Sequence, residues 1–188
     1  LCYHSGMSKT RLSAFRVIEL GSLPAGAYAA RLFADFGAEV IKVEPAAGDP
    51  CRSFPPLVDG ESGWFAYLNF GKKSVTADKV DLDQLLAGAD VLIDSSGSDH
   101  AACHSHLVAI DLSWFGQAGP YRDFKACDAV CRALSGFVQL IGPEAGPPLT
   151  LPDYQSAIMG GLGAFIPAMA ALLGRQSRRY DVSVHEAT

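Results

Sequence analysis

The chain has 188 residues, of which 49% are hydrophobic, and it carries 15 Lys and Arg residues against 20 Asp and Glu residues. This apolar fraction excludes a disordered chain, which needs low hydrophobicity and high net charge. The formal net charge of −5 disfavours nucleic acid or an anionic membrane as a partner, because both are bound by basic surfaces. We also expect no membrane-spanning segment. Five cysteines at irregular spacings are typical of a reduced, cytoplasmic protein rather than of a disulfide framework.

Short apolar runs alternate with amphipathic stretches from residue 16 onward. Strands are predicted over residues 16–20, 38–44, 89–94, 106–112 and 179–184, and helices over residues 27–36, 82–87, 128–138 and 156–174. Strands that alternate with helices indicate crossover connections and hence an α/β fold with a parallel sheet. The last predicted helix is nearly all apolar, so we expect it to be buried.

The two ends of the chain differ from this pattern. Residues 1–10 carry no pattern, and we expect a disordered or artificially added leader, with Met7 as a candidate native start. Residues 185–188 begin to resemble another helix directly after the final strand. Because a domain rarely ends at such a point, we expect residues 11–188 to form one incomplete domain.

The segment from Val17 to Glu44 resembles a dinucleotide-binding unit, with a strand, a glycine turn, a helix and a strand that ends in an acid. Gly21 and Gly26 flank the turn, and Glu44 stands near the position of a ribose-binding acid. The turn lacks the middle glycine that lets a pyrophosphate approach. We therefore favour a plain strand–helix–strand unit, whose helix N-terminus can still face an anion in a crevice.

Four further sequence segments occur along the chain in a characteristic order. They are Asp35-Phe36-Gly37-Ala38-Glu39-Val40-Ile41-Lys42-Val43-Glu44, Asn69-Phe70-Gly71-Lys72-Lys73-Ser74, Trp114-Phe115-Gly116-Gln117-Ala118-Gly119-Pro120-Tyr121, and Asp128 followed by Gly146-Pro147-Pro148. Together they resemble the family III CoA-transferases, the group of formyl-CoA transferase, carnitine CoA-transferase and the α-methylacyl-CoA racemases.

The resemblance implies a Rossmann-like large domain, with a parallel sheet flanked by helices, over residues 11–188. A smaller domain would be missing, because members of the family are considerably longer. The resemblance also implies two interlinked chains, so we expect a homodimer or a partner half. The substrates would be an acyl-CoA and a small carboxylic acid, with coenzyme A as the transferred group and no metal.

The implied reaction moves CoA through an aspartyl anhydride and an aspartyl-CoA thioester, which is covalent catalysis by a carboxylate. It needs backbone amides for the oxyanion and cations for the CoA phosphates. The resemblance assigns CoA contacts to six positions, Lys72, Lys73, Lys125, Asn69, Ala25 and Gly26. Each lysine can equally be a solvated surface residue. Phe70 or Trp64 could stack on the adenine, with core packing as the plainer interpretation.

The catalytic carboxylate of the family follows a Gly-x-Pro-Pro loop and stands four residues before a glycine. Counting backwards from residues 180–183, which resemble a family strand, places it at Asp153. Counting backwards from residues 170–172 places it at Ala157, which cannot act as a nucleophile. We favour Asp153, while the simpler interpretation is that Asp153 only caps the following helix.

Two alternatives to a catalytic transferase remain. One is a non-catalytic CoA-binding or partner half of a two-part transferase, and the other is an acyl-CoA racemase or isomerase relative. A racemase of the family needs a His directly before Asp128, where this chain has Cys127, so a His-based racemisation is disfavoured. We interpret Cys127 as a buried structural thiol in preference to a base. The histidines around Cys103 lack a second ligand pair at zinc spacing, so no metal is expected.

Overall fold

We describe a computed structural model of the chain over residues 11–152 and 154–188. Within these residues the strands are β1 (Arg16–Leu20), β2 (Glu39–Glu44), β3 (Leu57–Val58), β4 (Glu61–Ser62), β5 (Lys73–Thr76), β6 (Val91–Asp94), β7 (Val108–Ser113) and β8 (Arg179–Ser183). The helices are α1 (Pro24–Asp35), α2 (Gly63–Asn69), α3 (Leu82–Ala87), α4 (Asp128–Leu134), α5 (Gln155–Leu173) and α6 (Val184–Ala187).

Six of these strands form one parallel sheet in the order β5-β2-β1-β6-β7-β8, while β3 and β4 form a separate antiparallel hairpin. Numbered along the chain, the sheet strands run third, second, first, fourth, fifth, sixth, which is the strand order of the Rossmann fold. The predicted Rossmann-like α/β fold is therefore confirmed. The order reverses between β1 and β6, and ligands of such folds bind at this reversal, beyond the carboxyl ends of the strands.

The central strands have both faces covered. β1, β6 and β7 are buried almost throughout, which explains why their sequences are continuous apolar runs. On one face, α1 and α5 pack against each other and bury Phe33 and Ala164. On the other face, Leu86 of α3 packs with Ile18 and Leu92. Alternate residues of a strand point to opposite faces, so neighbours such as Val17 and Ile18 belong to different halves of the core.

Helix α2 and strand β5 lie where no helix or strand was predicted. Both are short, with seven and four residues, so neither shows a clear apolar period. Helix α2 begins where the Ser62 hydroxyl accepts a hydrogen bond from the amide of Phe65 at 3.1 Å. The helix predicted over residues 128–138 ends at Leu134, because Gly136 adopts a φ of 78°.

Helix α5 is buried on one face only. Its small residues, including Ala157, Gly161 and Ala164, are buried, whereas Ile166 and Leu173 are 64% and 68% exposed. The prediction of a buried helix is therefore right for one face. Helix α5 also reaches the length and apolar composition of a membrane span, which corrects the expectation that no segment does. Its packing against α1 is that of the core helix of a globular domain.

Candidate active site

The loops after β1 and β6 meet at the reversal in strand order. Gly21 has a φ of 86°, and a Cβ there would lie 2.6 Å from the carbonyl carbon of Ser95, so only glycine fits. The Ser95 hydroxyl accepts a hydrogen bond from the amide of Leu23 at 3.3 Å. These contacts fix the start of α1, where the predicted CoA contacts Ala25 and Gly26 are buried.

Two buried acids and two buried lysines lie next to α1. We call these four residues, Glu19, Asp49, Lys42 and Lys72, the buried charge cluster. Lys42 Nζ lies 2.6 Å from Glu19 Oε1 and 2.7 Å from Asp49 Oδ2. Lys72 Nζ lies 2.6 Å from Glu19 Oε2 and donates a hydrogen bond to the carbonyl of Ala27 at 2.8 Å. The cluster therefore joins β1, β2, α1 and the segment before β5.

The pKa values in this cluster depend on how many partners each group has. Burial alone would raise the pKa of Glu19, but Lys72 and Lys42 together hold it below its ordinary value. Burial lowers the pKa of Lys72, and Glu19 offsets only part of that effect. Burial also acts to lower the pKa of Lys42, but Glu19 and Asp49 outweigh it, so this pKa is raised. Two carboxylate partners thus outweigh the cost of burying the Lys42 ammonium group, whereas one partner only partly offsets that cost for Lys72.

The structure separates the lysines that were predicted to reach the CoA phosphates. The Lys72 side chain is 1% exposed, and its three donors already have partners, including Asn69 Oδ1 at 3.0 Å. The Lys73 side chain is 72% exposed, and its Nζ lies 2.6 Å from Glu39 Oε1. Lys125 is exposed on the loop before α4. A phosphate at Lys72 would have to replace an internal partner, and the CoA contacts of all these residues stay predictions.

The predicted nucleophile Asp153 lies outside the described residues, but the segments on both sides of it are held by an ion pair. Buried Asp128 accepts a hydrogen bond from the amide of Ala157 at 2.7 Å, and its other oxygen lies 2.8 Å from Arg132 Nε. Arg132 also donates to the carbonyl of Leu151. Asp128 therefore caps the first turn of α5, and Arg132 fixes the loop before it. The sequence predicted Asp128 only as part of a family motif, because its pairing with α5 depends on packing.

An apolar pocket adjoins the start of α5, and we call it the aromatic pocket. It has a volume of about 380 Å³ and is lined by Pro56, Gly63, Trp64, Tyr67 and Ile158. The Trp64 ring meets the ring of Tyr154 edge-on, with centroids 5.2 Å apart. Tyr154, which directly follows Asp153 in the chain, therefore packs beside this pocket.

Trp64 and Phe70 were predicted either to stack on the adenine or to belong to the core. Trp64 is half-buried on α2, and its ring lines the aromatic pocket. Phe70 is 69% exposed, so it is not a core residue. A pairing of Trp64 with a residue 90 positions later in the chain has no local sequence signal, which is why the pocket was not predicted.

Comparison with known proteins decides the family. Residues 12–181 match the model of CoA-transferase family III. The chain belongs to this family. It is 35% identical over 190 aligned positions to the succinate–glutarate CoA-transferase of Agrobacterium fabrum, covering 88% of this chain and 48% of that protein. It is 33% identical over 183 positions to the succinyl-CoA:glutarate CoA-transferase of Mus musculus, covering 87% of this chain and 42% of that one.

A solved structure agrees with this assignment. The crystal structure of a CAIB/BAIF family protein from Brucella suis matches with a TM-score of 0.86 and 28% identity, covering 96% of this chain and 55% of that chain. The chain spans about half the length of the curated relatives it matches.

The environment of Cys127, where the resemblance would require the histidine of a racemase, differs from the one predicted. Cys127 is exposed, which corrects its interpretation as a buried thiol. It precedes the first turn of α4 in an extended conformation, so it does not share the inward face of that helix. Cys131, one helical turn further along, is buried, and burial raises the pKa of its thiol to about 11. A thiol with that pKa stays protonated near neutral pH and is a poor nucleophile.

Two further acids at the carboxyl ends of strands have internal partners in this family III chain. Glu44 accepts hydrogen bonds at 2.8 Å from both Nε and Nη2 of Arg52, so its carboxylate is not free for a ribose. Asp94 Oδ2 lies 2.7 Å from His100 Nδ1. Among the described residues, no three His, Cys, Asp or Glu side chains form a group that could hold a metal ion.

Proposed function

We propose that this chain is the large domain of a CoA-transferase that moves CoA between an acyl-CoA and a small carboxylic acid. The family III match over residues 12–181 carries the proposal, because the relatives reported above are named for CoA transfer between carboxylic acids. The fixed start of α5, at the point where the resemblance places the catalytic carboxylate, supports it further.

The proposed nucleophile is Asp153. Its carboxylate attacks the thioester carbonyl, the C–S bond breaks, and the mixed anhydride and free CoA thiolate form. The thiolate then attacks the aspartyl carbonyl, releases the first acid and leaves an aspartyl-CoA thioester. The incoming carboxylate takes up CoA by the same two steps in reverse, which restores the aspartate. The amides at the N-terminus of α5 favour the ionised carboxylate that the first step requires.

The residues of this chain would divide the remaining tasks between them. Lys125 is exposed and is the better available cation for the CoA phosphates. Lys73 is also exposed, but it pairs with Glu39, the first residue of β2, at the amino edge of the sheet. Lys72 and Asn69 are joined by a hydrogen bond inside the protein, so we assign them to positioning α2 beside α1. Asp128 and Arg132 position the segment that carries Asp153.

The decisive test replaces the proposed nucleophile. Asp153→Asn keeps the size and part of the capping ability of the side chain, so the free energy of unfolding should change by less than about 1 kcal/mol. Transfer of CoA to a labelled acid should fall by orders of magnitude. Hydroxylamine, added after an acyl-CoA, should tag Asp153 in the wild type only. Glu144→Gln, in the exposed loop before α5, is the matched control and should stay active. Wild-type transfer by Asp153→Asn would remove this carboxylate from the mechanism.

A partner half is the second candidate function. The chain spans about half the length of the curated relatives it matches, and one of them, from Chloroflexus aurantiacus, is named as the alpha subunit of a succinyl-CoA–L-malate CoA-transferase. In this proposal the chain binds CoA but needs another subunit for transfer, as a homodimer or with a partner half in the cytoplasm. Calorimetry that detects CoA binding by a chain without transfer activity would favour this candidate.

A further inference from the structure

The lining of the aromatic pocket does not suit succinate or glutarate, the acids for which two of the relatives are named. Succinate and glutarate carry two carboxylates, and a second carboxylate in a protein site needs a cation or several hydrogen-bond donors. The described lining of this pocket consists of Pro56, Gly63, Trp64, Tyr67 and Ile158, which include no Lys, Arg or His. Its volume of about 380 Å³ lies within the range of small-molecule sites.

The arginines that contact the aromatic residues of α2 already have carboxylate partners. The Arg31 guanidinium lies over the Tyr67 ring, 4.1 Å from its centroid, and pairs with Asp35 at 3.3 Å. The Arg52 guanidinium lies over the ring of Phe65 at 3.9 Å and is bound by both oxygens of Glu44. Neither residue lines the pocket, so none of the described lining residues supplies a cation for a second carboxylate.

The two rings that line the pocket, those of Trp64 and Tyr67, belong to a larger aromatic cluster. Trp64 stands edge-on to Tyr67 and to Tyr154, with interplanar angles of 88° and 86° and centroid distances of 5.8 and 5.2 Å. Tyr154 also stacks on Phe54 with centroids 5.8 Å apart. Aromatic groups add to such clusters by further edge-to-face or offset contacts, which contribute beyond the burial of their area.

We propose that the aromatic pocket binds the ring of an aromatic monocarboxylic acid, free or as its acyl-CoA. The pocket adjoins the residue that follows Asp153, so the inference rests on the proposed function and names its acid. The ring would lie against Trp64 and Tyr67 while the carboxyl group faces the start of α5. An aromatic ring then matches the apolar lining, whereas a second carboxylate would find no charged partner among the described lining residues.

Tryptophan fluorescence tests binding without any need for catalysis, because the chain has two tryptophans and only Trp64 lines the pocket. In Trp114→Phe, phenylacetate should change the Trp64 emission in a saturable manner, and glutarate should not. In Trp64→Phe, where Trp114 remains, neither acid should change the emission. An equal or stronger response to glutarate, or a response to phenylacetate that persists in Trp64→Phe, would overturn the proposal. If Trp114→Phe folds poorly, the wild type and Trp64→Phe give the same comparison.

A charge placed in the wall should reverse the preference. Ile158→Arg supplies a cation inside the pocket, so phenylacetate affinity should fall about tenfold or more, and binding of glutarate should appear. Met159→Arg is the matched control, since Met159 is the next residue of α5, is 43% exposed and does not line this pocket. Equal effects of the two variants would contradict the assignment.

Transfer of CoA to glutarate but not phenylacetate by the wild type would overturn this inference and leave the proposed function intact. Binding of phenylacetate without transfer of CoA to any acid would support this inference and count against the proposed transferase activity.

Discussion

Lys72 and Lys73 are neighbours in the chain, yet they lie in opposite environments. Each ammonium group lies 2.6 Å from a glutamate oxygen, but the Lys72 side chain is 1% exposed and the Lys73 side chain is 72% exposed. Equal distances therefore do not imply equal energies. An exposed pair is screened by water and contributes little, whereas breaking a buried pair leaves a charge without solvent or partner.

Two sides of α5 differ in a related way, because one side approaches its neighbour more closely than the other. At Gly161, which faces α1, a Cβ would lie 2.7 Å from the carbonyl oxygen of Ala25. At Gly163, two residues later, a Cβ would lie 3.4 Å from the Cβ of Ala187, an ordinary contact distance. Residue type alone does not distinguish these glycines, because the difference comes from the backbone that each one meets.

The buried lysine should show the largest effect on stability. Lys72→Met leaves Glu19 with Lys42 as its remaining cation, so we expect a loss of about 3 kcal/mol in the free energy of unfolding. Lys73→Met removes only an exposed pair and should cost less than about 1 kcal/mol. Urea denaturation at pH 7 measures both values. Equal losses in the two variants would mean that burial does not determine how much these ion pairs contribute to the free energy of unfolding.

The two glycines should give a smaller contrast, with opposite signs. Gly161→Ala forces α5 away from α1 and should destabilise the chain by about 2 kcal/mol. Gly163→Ala introduces a better helix former into available space and should stabilise it by up to about 1 kcal/mol. Thermal unfolding followed by circular dichroism distinguishes these outcomes. A Gly163→Ala variant that is destabilised as much as Gly161→Ala would show that close approach to α1 is not the cause.

The central fold was predictable because it depends on local composition. The strand over residues 16–20 and the helix over residues 82–87 are found at the predicted residues, since their apolar runs are clear and bounded by turn residues. Helix α2 was not predicted, because its seven residues depend on a single hydroxyl cap at Ser62. The partial exposure of α5 was also missed, since every side of that helix is apolar and only residue size distinguishes its faces.

The candidate site was predictable by motif and not by geometry. The texts around Lys72 and Asp128 indicated the family, which the comparison confirmed. They did not reveal that Lys72 is turned inward toward Glu19, a residue 53 positions earlier. Nor did they reveal that Asp128 caps a helix that begins 27 residues later, at Gln155. Such pairings depend on how the helices and strands pack. The partners have no fixed separation along the chain, so a single sequence does not reveal them.

The ion pair of Glu44 and Arg52 is intermediate between the buried pair of Lys72 and the exposed pair of Lys73, and it should give the smallest effect on stability. The Glu44 side chain is 2% exposed and that of Arg52 is 45% exposed. Hydrogen bonds from Arg52, and then from Ser74, lower the pKa of Glu44 from 4.5 to about 2. Because the pKa is lowered in the folded state, the stabilisation is complete above pH 4.5 and is lost as the pH falls toward 2.

Since half of the pair is in water, we expect a contribution of about 1 kcal/mol. In Glu44→Gln this contribution is absent at every pH, so the variant and the wild type should differ at pH 6, and the difference should shrink as the pH falls from 4.5 through 2. Arg52→Gln should also weaken the pH dependence, because it removes the main cause of the lowered pKa. Urea denaturation across this range measures the difference. A gap between Glu44→Gln and the wild type that stays constant from pH 6 to pH 2.5 would show that Glu44 acts through packing rather than through its charge.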